Sequence, residues 1–327
     1  MELKEYEIAA NGISLHVTEL GDGPVVLFCH GFPDTSYTWR QQMIAVASAG
    51  YRAIAPDMRG YGRSSAPSES NLYTPLQTAA DLVGLLDALN IPSAVIVGHD
   101  WGATHAWNAA MMRPDRFTAV FCLSVPYFPR GDVSVFGRMR ISGHENDFYM
   151  FEQMKPEADQ IWADAAVTIP GILYWASGSA PADQRWNPLD PARSLHRSAP
   201  GPLPSWVDPD YVAHNITEFQ RTGFHGALNY YRAAELYFDL SAAWKGAKIT
   251  QPSFYISGKA DGLGALYPPA EKLRAGLPGL VGNVELENVG HWIQHEASAE
   301  VSEQLVKFLR TANPVGGARD GNILPTH

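Results

Sequence analysis

The residues Gly98-His99-Asp100-Trp101-Gly102 constrain this chain more than any other stretch. They follow the apolar run Ala94-Val95-Ile96-Val97 and open the helix-like run Ala103 to Ala110. A strand that turns into a helix between two glycines sets the central side chain on a strained, exposed corner, a nucleophile elbow. Here that side chain is a carboxylate. A serine in its place needs a base, whereas an aspartate at a helix N-terminus is already ionised and is favoured there by the helix dipole. The motif predicts a carboxylate nucleophile.

The chain around the elbow reads as a mostly parallel α/β sheet. Residues 5–19 alternate about Asn11-Gly12 and predict an antiparallel hairpin. The continuous apolar run Pro24 to Cys29 suits a strand covered on both faces, Tyr51 to Pro56, Ala94 to Val97 and Phe117 to Ser124 read as further strands, and Thr74 to Leu89 carries helical spacing. Gly60 and Gly62 have no third glycine at dinucleotide-loop spacing, so they read as turn residues. Strands alternating with helices imply right-handed crossovers. At Pro129 the composition changes: residues 129–247 hold ten prolines and many aromatics, seven of the prolines between Pro181 and Pro209. That density excludes helix and central strand and predicts an irregular excursion within a separate lid. The alternation resumes with strands at Pro252 to Gly258 and Asn283 to Leu286 and helices at Pro269 to Ala275 and Ser298 to Arg310. The expected division is a first core part at 1–128, a lid at 129–247, a second core part at 248–312 and a tail at 313–327.

With 24 Lys and Arg against 34 Asp and Glu, the net charge of -10 disfavours nucleic acid and anionic lipid as partners. No signal-like N-terminus and no apolar run of about 18 residues is present, and Cys29 and Cys122 sit in apolar runs as buried hydrophobes. These features predict a cytoplasmic protein without a membrane span or a disulfide.

An aspartyl nucleophile forms an ester, which water must hydrolyse with the help of a base. His291, in Gly290-His291-Trp292 after a predicted strand, stands where an open sheet presents functional side chains. The orienting acid belongs between elbow and histidine. Asp261 in Gly258-Lys259-Ala260-Asp261-Gly262 fits, with Asp239 as competitor. A metal pair of His291 and His295 lacks a third ligand at matching spacing, so neither metal nor cofactor is expected. Negative charge developing on the Asp100 carboxyl calls for two backbone N–H groups, read as those of Trp101 and of Phe32 in His30-Gly31-Phe32-Pro33. Phe32, Trp101 and Trp175 are read as lining an apolar substrate pocket, and Trp107 as core.

His30-Gly31-Phe32-Pro33-Asp34, the elbow, Ser124-Val125-Pro126 and Gly290-His291-Trp292 together resemble the epoxide hydrolases of the α/β-hydrolase fold, over about residues 3–310. The resemblance implies a mostly parallel sheet flanked by helices with an inserted, mainly helical lid. It also implies an activity converting an apolar epoxide and water to a vicinal diol. The family uses two lid tyrosines as acids. Leu228-Asn229-Tyr230-Tyr231-Arg232 is similar to one motif and places it on Tyr231; Tyr149, ahead of Gln153, matches the other, although Glu152-Gln153-Met154-Lys155-Pro156 departs from the family's usual continuation. Expulsion of an alkoxide needs such acids, and a phenol with a reference pKa of about 10 stays protonated at neutral pH. The alternatives are a haloalkane dehalogenase with the same aspartate and histidine, and a non-catalytic ligand-binding protein on the same fold. The chain contains no Gly-x-Ser-x-Gly of an esterase.

Overall fold

The computed structural model describes residues 2–313, so the predicted tail lies, past Asn313, outside the described residues. Eight strands form one sheet in the order β1-β2-β4-β3-β5-β6-β7-β8. The hairpin is β1 (Lys4–Ala10) and β2 (Ile13–Leu20), paired antiparallel around a turn that holds Asn11 at φ 48°. β2 also runs antiparallel to β4, and every later pairing is parallel. The parallel strands are β3 (Val25–Cys29), β4 (Arg52–Pro56), β5 (Ala94–His99), β6 (Phe117–Leu123), β7 (Ser253–Gly258) and β8 (Leu280–Leu286).

Alternation along β3 and β5 divides the core. Leu27, Cys29 and Ile96 face one side, beneath α2 (Pro75–Ala88) and α3 (Trp101–Met112). Val26, Phe28, Val95 and Val97 face the other, beneath α1 (Arg40–Ser48) and the closing helix Ser298–Ala312. Both sides of these strands are covered, which is why they read as unbroken apolar runs. The helix α1 carries no distinct signal in the sequence. It packs on the closing helix through Met43, Val46 and Ala47, a stripe too short to stand out from a loop.

Between β6 and β7 the chain leaves the sheet for seven helices: α4 (Val135–Ile141), α5 (Tyr149–Met154), α6 (Ala158–Trp162), α7 (Ala165–Trp175), α8 (Pro209–Thr222), α9 (His225–Arg232) and α10 (Ala234–Leu240). The Pro-rich excursion between α7 and α8 is irregular apart from one 3-10 turn, Pro191–Arg193. After β7 come α11 (Ala270–Gly276), β8, α12 (Ile293–Glu296) and α13 (Ser298–Ala312). Among the described residues no helix is long and apolar enough to cross a membrane.

Candidate active site

The strand order fixes where chemistry can gather. From β3 the chain crosses one way to β4, then back over β3 to β5, so the carboxyl ends of β3 and β5 part at a topological switch point. Phe32 follows β3 and Asp100 follows β5; Ser124, Asp261 and His291 follow β6, β7 and β8. Five sequence-distant residues thus meet along one edge.

Asp100 adopts φ 54° and ψ -122°, a conformation that costs a non-glycine residue about 1–3 kcal/mol. Its neighbours must be glycine: a Cβ on Gly98 lies 2.3 Å from the Gly102 carbonyl oxygen, and one on Gly102 lies 2.0 Å from that of Cys29. The strain points the carboxylate away from its own helix. Its Oδ1 accepts the Phe32 N–H at 2.8 Å, and Oδ2 lies 3.5 Å from His291 Nε2. The Trp101 N–H begins α3 and, like every first-turn N–H, has no partner within its helix. Burial works to raise the Asp100 pKa, but hydrogen bonding and charge from His291 prevail and hold it below the usual carboxylate range.

The other side of the imidazole is held equally firmly. His291 Nδ1 lies 3.1 Å from Asp261 Oδ2. That same oxygen accepts the Ser124 hydroxyl at 2.6 Å and the Tyr267 hydroxyl at 2.9 Å, while Asp261 Oδ1 accepts the Leu263 N–H at 3.0 Å. Ser124 Oγ is also 3.0 Å from His291 Nδ1. Burial works against a charged imidazole, yet Asp261 and Asp100 outweigh it and the His291 pKa rises to about 10. A dyad of carboxylates around one histidine, with a backbone donor on the first, can perform nucleophilic attack followed by base-assisted hydrolysis.

Above Asp100 lies a cavity of about 330 Å³, in the range of small-molecule sites. One wall is a face of α3, with Trp101, Thr104 and Asn108 in helical register. Tyr149 lines it from the lid, where its N–H is tied to the Pro188 carbonyl at 2.9 Å. Tyr231 stands between Phe32 and Trp101, its ring centroid 5.3 Å and 5.0 Å from theirs and 6.1 Å from that of Tyr149. Burial, then the Asp100 charge, raises the Tyr149 pKa well above the ordinary phenol value. Tyr231 is raised likewise by burial, Tyr149 and Asp100, with the Trp101 side chain opposing. Both phenols are protonated and lie within the field of Asp100.

Three of the expected site side chains, those of Trp175, Phe32 and Tyr231, stand outside the lining of this cavity. Trp175 does not line the cavity: its indole N–H donates to the Ser198 carbonyl at 3.0 Å and Arg197 stacks 3.9 Å above its ring, bracing the excursion. The Phe32 side chain is not a lining residue either. It packs edge-on against Trp162 and Tyr231, leaving its backbone N–H as the group that faces Asp100. Of the other candidates, Asp239 is exposed on α10, and His295 pairs with Thr38 Oγ1 at 2.7 Å. Trp107 is 1 % exposed, its indole N–H donating to the Val125 carbonyl.

Several supporting residues escape sequence reasoning. Ser124 and Tyr267 share the Asp261 oxygen with His291, and Ser124 sits at φ 63° directly after β6. The clue was Ser124-Val125-Pro126, read above only as part of a resemblance. His99 Nε2 donates to the His291 carbonyl at 2.8 Å, and its Nδ1 accepts from Gln294 at 3.1 Å. Glu296 is half-buried and accepts the N–H groups of Gly178, Gly290 and Trp292 at 2.7, 2.9 and 3.1 Å, joining the His291 loop to the lid.

The fold and this arrangement define an α/β hydrolase with an aspartate at the elbow. The family model described as the alpha/beta hydrolase fold matches residues 24–298. The chain is 76% identical over 314 residues to an epoxide hydrolase of Caballeronia sordidicola, covering 96% of this chain and 95% of that one. It is 38% identical to epoxide hydrolase A of Mycobacterium tuberculosis, covering 92% of this chain and 96% of the relative. Among solved structures, an epoxide hydrolase from an endophytic Streptomyces superposes with a TM-score of 0.88 at 38% identity, over 94% of this chain and 95% of that one. The chain belongs to the epoxide hydrolases of the α/β-hydrolase fold.

Proposed function

We propose that the chain converts a small apolar epoxide and water into a vicinal diol through an ester on Asp100. The reading rests on one observation: the two Asp100 oxygens have different partners, Phe32 N–H on Oδ1 and His291 Nε2 near Oδ2. Oδ2 attacks an epoxide carbon, the C–O bond breaks, and Tyr149 and Tyr231 hydrogen-bond the departing oxygen, one of them supplying its proton. Water then adds to the Asp100 carboxyl carbon. Its proton goes to His291 Nε2, steadied by Asp261, and charge collects on Oδ1 before the Phe32 and Trp101 N–H groups. The bond between Asp100 and the alkyl oxygen breaks, that oxygen takes the proton from His291, the diol leaves, and the acid proton now on Asp100 returns to the tyrosinate.

No step in this scheme calls on a metal or an organic cofactor. Halide release is disfavoured because the Phe32 side chain brings no hydrogen-bond donor to stand beside the Trp101 indole. The unpaired, buried thiols of Cys29 and Cys122 support a reducing, cytoplasmic setting. Turnover of styrene oxide and short alkyl epoxides, run beside bromide release from bromoalkanes, tests the reading. Diol without bromide is expected; bromide without diol overturns it.

A further inference from the structure

Tyr149 stands between two cavities. The one above Asp100 is walled mainly by apolar side chains such as Trp107, Met111 and Phe136. A second, also about 330 Å³, lies behind it in the lid and sets Glu152, Asn187, Asp190 and Ser194 in its wall beside Phe151 and Leu195, so that it is far more polar than the first. Phe148 and Tyr149 border both. Trp186 borders the second alone, with its ring centroid 5.2 Å from that of Tyr149 and 6.1 Å from that of His291. Trp186 is 4% exposed, and its indole N–H has no hydrogen-bond partner among the described residues. A buried donor bordering a polar cavity is a place where water binds.

The chemistry supplies a reason for such a place. Resting on the reading above, the ester on Asp100 fills the apolar cavity with the substrate's own carbon skeleton while His291, 4% exposed, still needs a water molecule. The skeleton that blocks the front cannot also admit water through it. We propose that the second cavity is the water side of the active site: it holds and delivers the hydrolytic water past Trp186 to His291. The apolar cavity admits the epoxide. The two half-reactions thus draw on different openings, one apolar and one with a mixed, more polar wall, that meet at Tyr149.

Filling each cavity separately tests this. Ser194→Trp and the smaller Ser194→Leu fill the polar side, and Met111→Trp narrows the apolar side; none touches the reacting atoms. Stopped-flow fluorescence and quenched-flow mass spectrometry with styrene oxide resolve ester formation from ester hydrolysis. Expected is a slowing of hydrolysis of about tenfold in Ser194→Trp and a smaller one in Ser194→Leu. In both, ester formation stays within about twofold and ester accumulates, whereas Met111→Trp shows the reverse split. Hydrolysis unchanged in both Ser194 variants overturns the proposal while leaving the Asp100 ester intact. Absence of any ester in the unaltered enzyme overturns the parent reading instead.

Discussion

The Phe32 N–H and the Oδ1 oxygen of Asp100 stand 2.8 Å apart although 68 residues separate them in the chain. The contact commits one carboxylate oxygen to a backbone donor and leaves the other toward His291. On the proposed reading, the oxygen that receives charge during hydrolysis is the one already hydrogen-bonded at rest. A donor in place beforehand needs no reorganisation when charge develops.

The division of the two oxygens predicts how the steps separate on mutation. His291→Gln should still form the ester and then stall, with hydrolysis slowed by about 100-fold or more, the lower range for a lost general base. Asp100→Asn should form none. Intact-protein mass spectrometry after styrene oxide addition reads both, and single turnover in labelled water should put the label in Asp100, with label appearing directly in the diol as the contrary result.

The raised His291 pKa of about 10 gives a pH signature. The folded state holds the imidazolium more tightly than the unfolded chain, whose histidine titrates at about 6.5. The added stability is therefore complete below about pH 6.5 and is lost as pH rises through about 10. The melting temperature should fall across that window, and His291→Gln should flatten the fall. Asp100 helps to hold the proton, so Asp100→Asn should lower the His291 pKa seen by NMR titration. The ester, which also removes that charge, should in the same way release His291 to act as a base.

The tyrosine pair predicts a graded loss in the first half-reaction. Tyr149→Phe and Tyr231→Phe should each slow ester formation about 10- to 100-fold, and the double variant should lose nearly all of it, since general acids commonly contribute about 10²–10⁴. Hydrolysis of ester already formed should change little. Equal slowing of both steps in pre-steady-state measurements would count against the acid role.

Trp175 provides a contrast within the same lid. Trp175→Phe removes the bond to Ser198 and weakens the Arg197 stack, so it should cost about 1–2 kcal/mol of stability. Steady-state constants should stay within about twofold. A large shift in KM would restore it to the substrate pocket.

Trp175 also shows where sequence reading ends. The elbow, the hairpin and the doubly covered strands are legible because each leaves a local mark: paired glycines, Asn11-Gly12, or an unbroken apolar run. Asp100, Asp261 and His291 stand at strand ends and could be placed by chain order alone. The side a lid tryptophan faces has no such mark, because the excursion around it lacks a repeat. Ser124 and Tyr267 converge on one oxygen from separate loops, and only the folded sheet brings them together.

Glu296 sets a limit on how this enzyme can breathe. Its carboxylate holds Gly178 of the lid and Gly290 of the catalytic loop together, and the His291 N–H donates to the Ala176 carbonyl at 2.8 Å. A lid swinging open at residues 176–178 would carry the base's backbone anchor away with it. This end therefore serves as a fixed pivot. Away from this pivot, Phe128 and Val133 are exposed and line the apolar cavity, the side by which the proposed reading admits the epoxide.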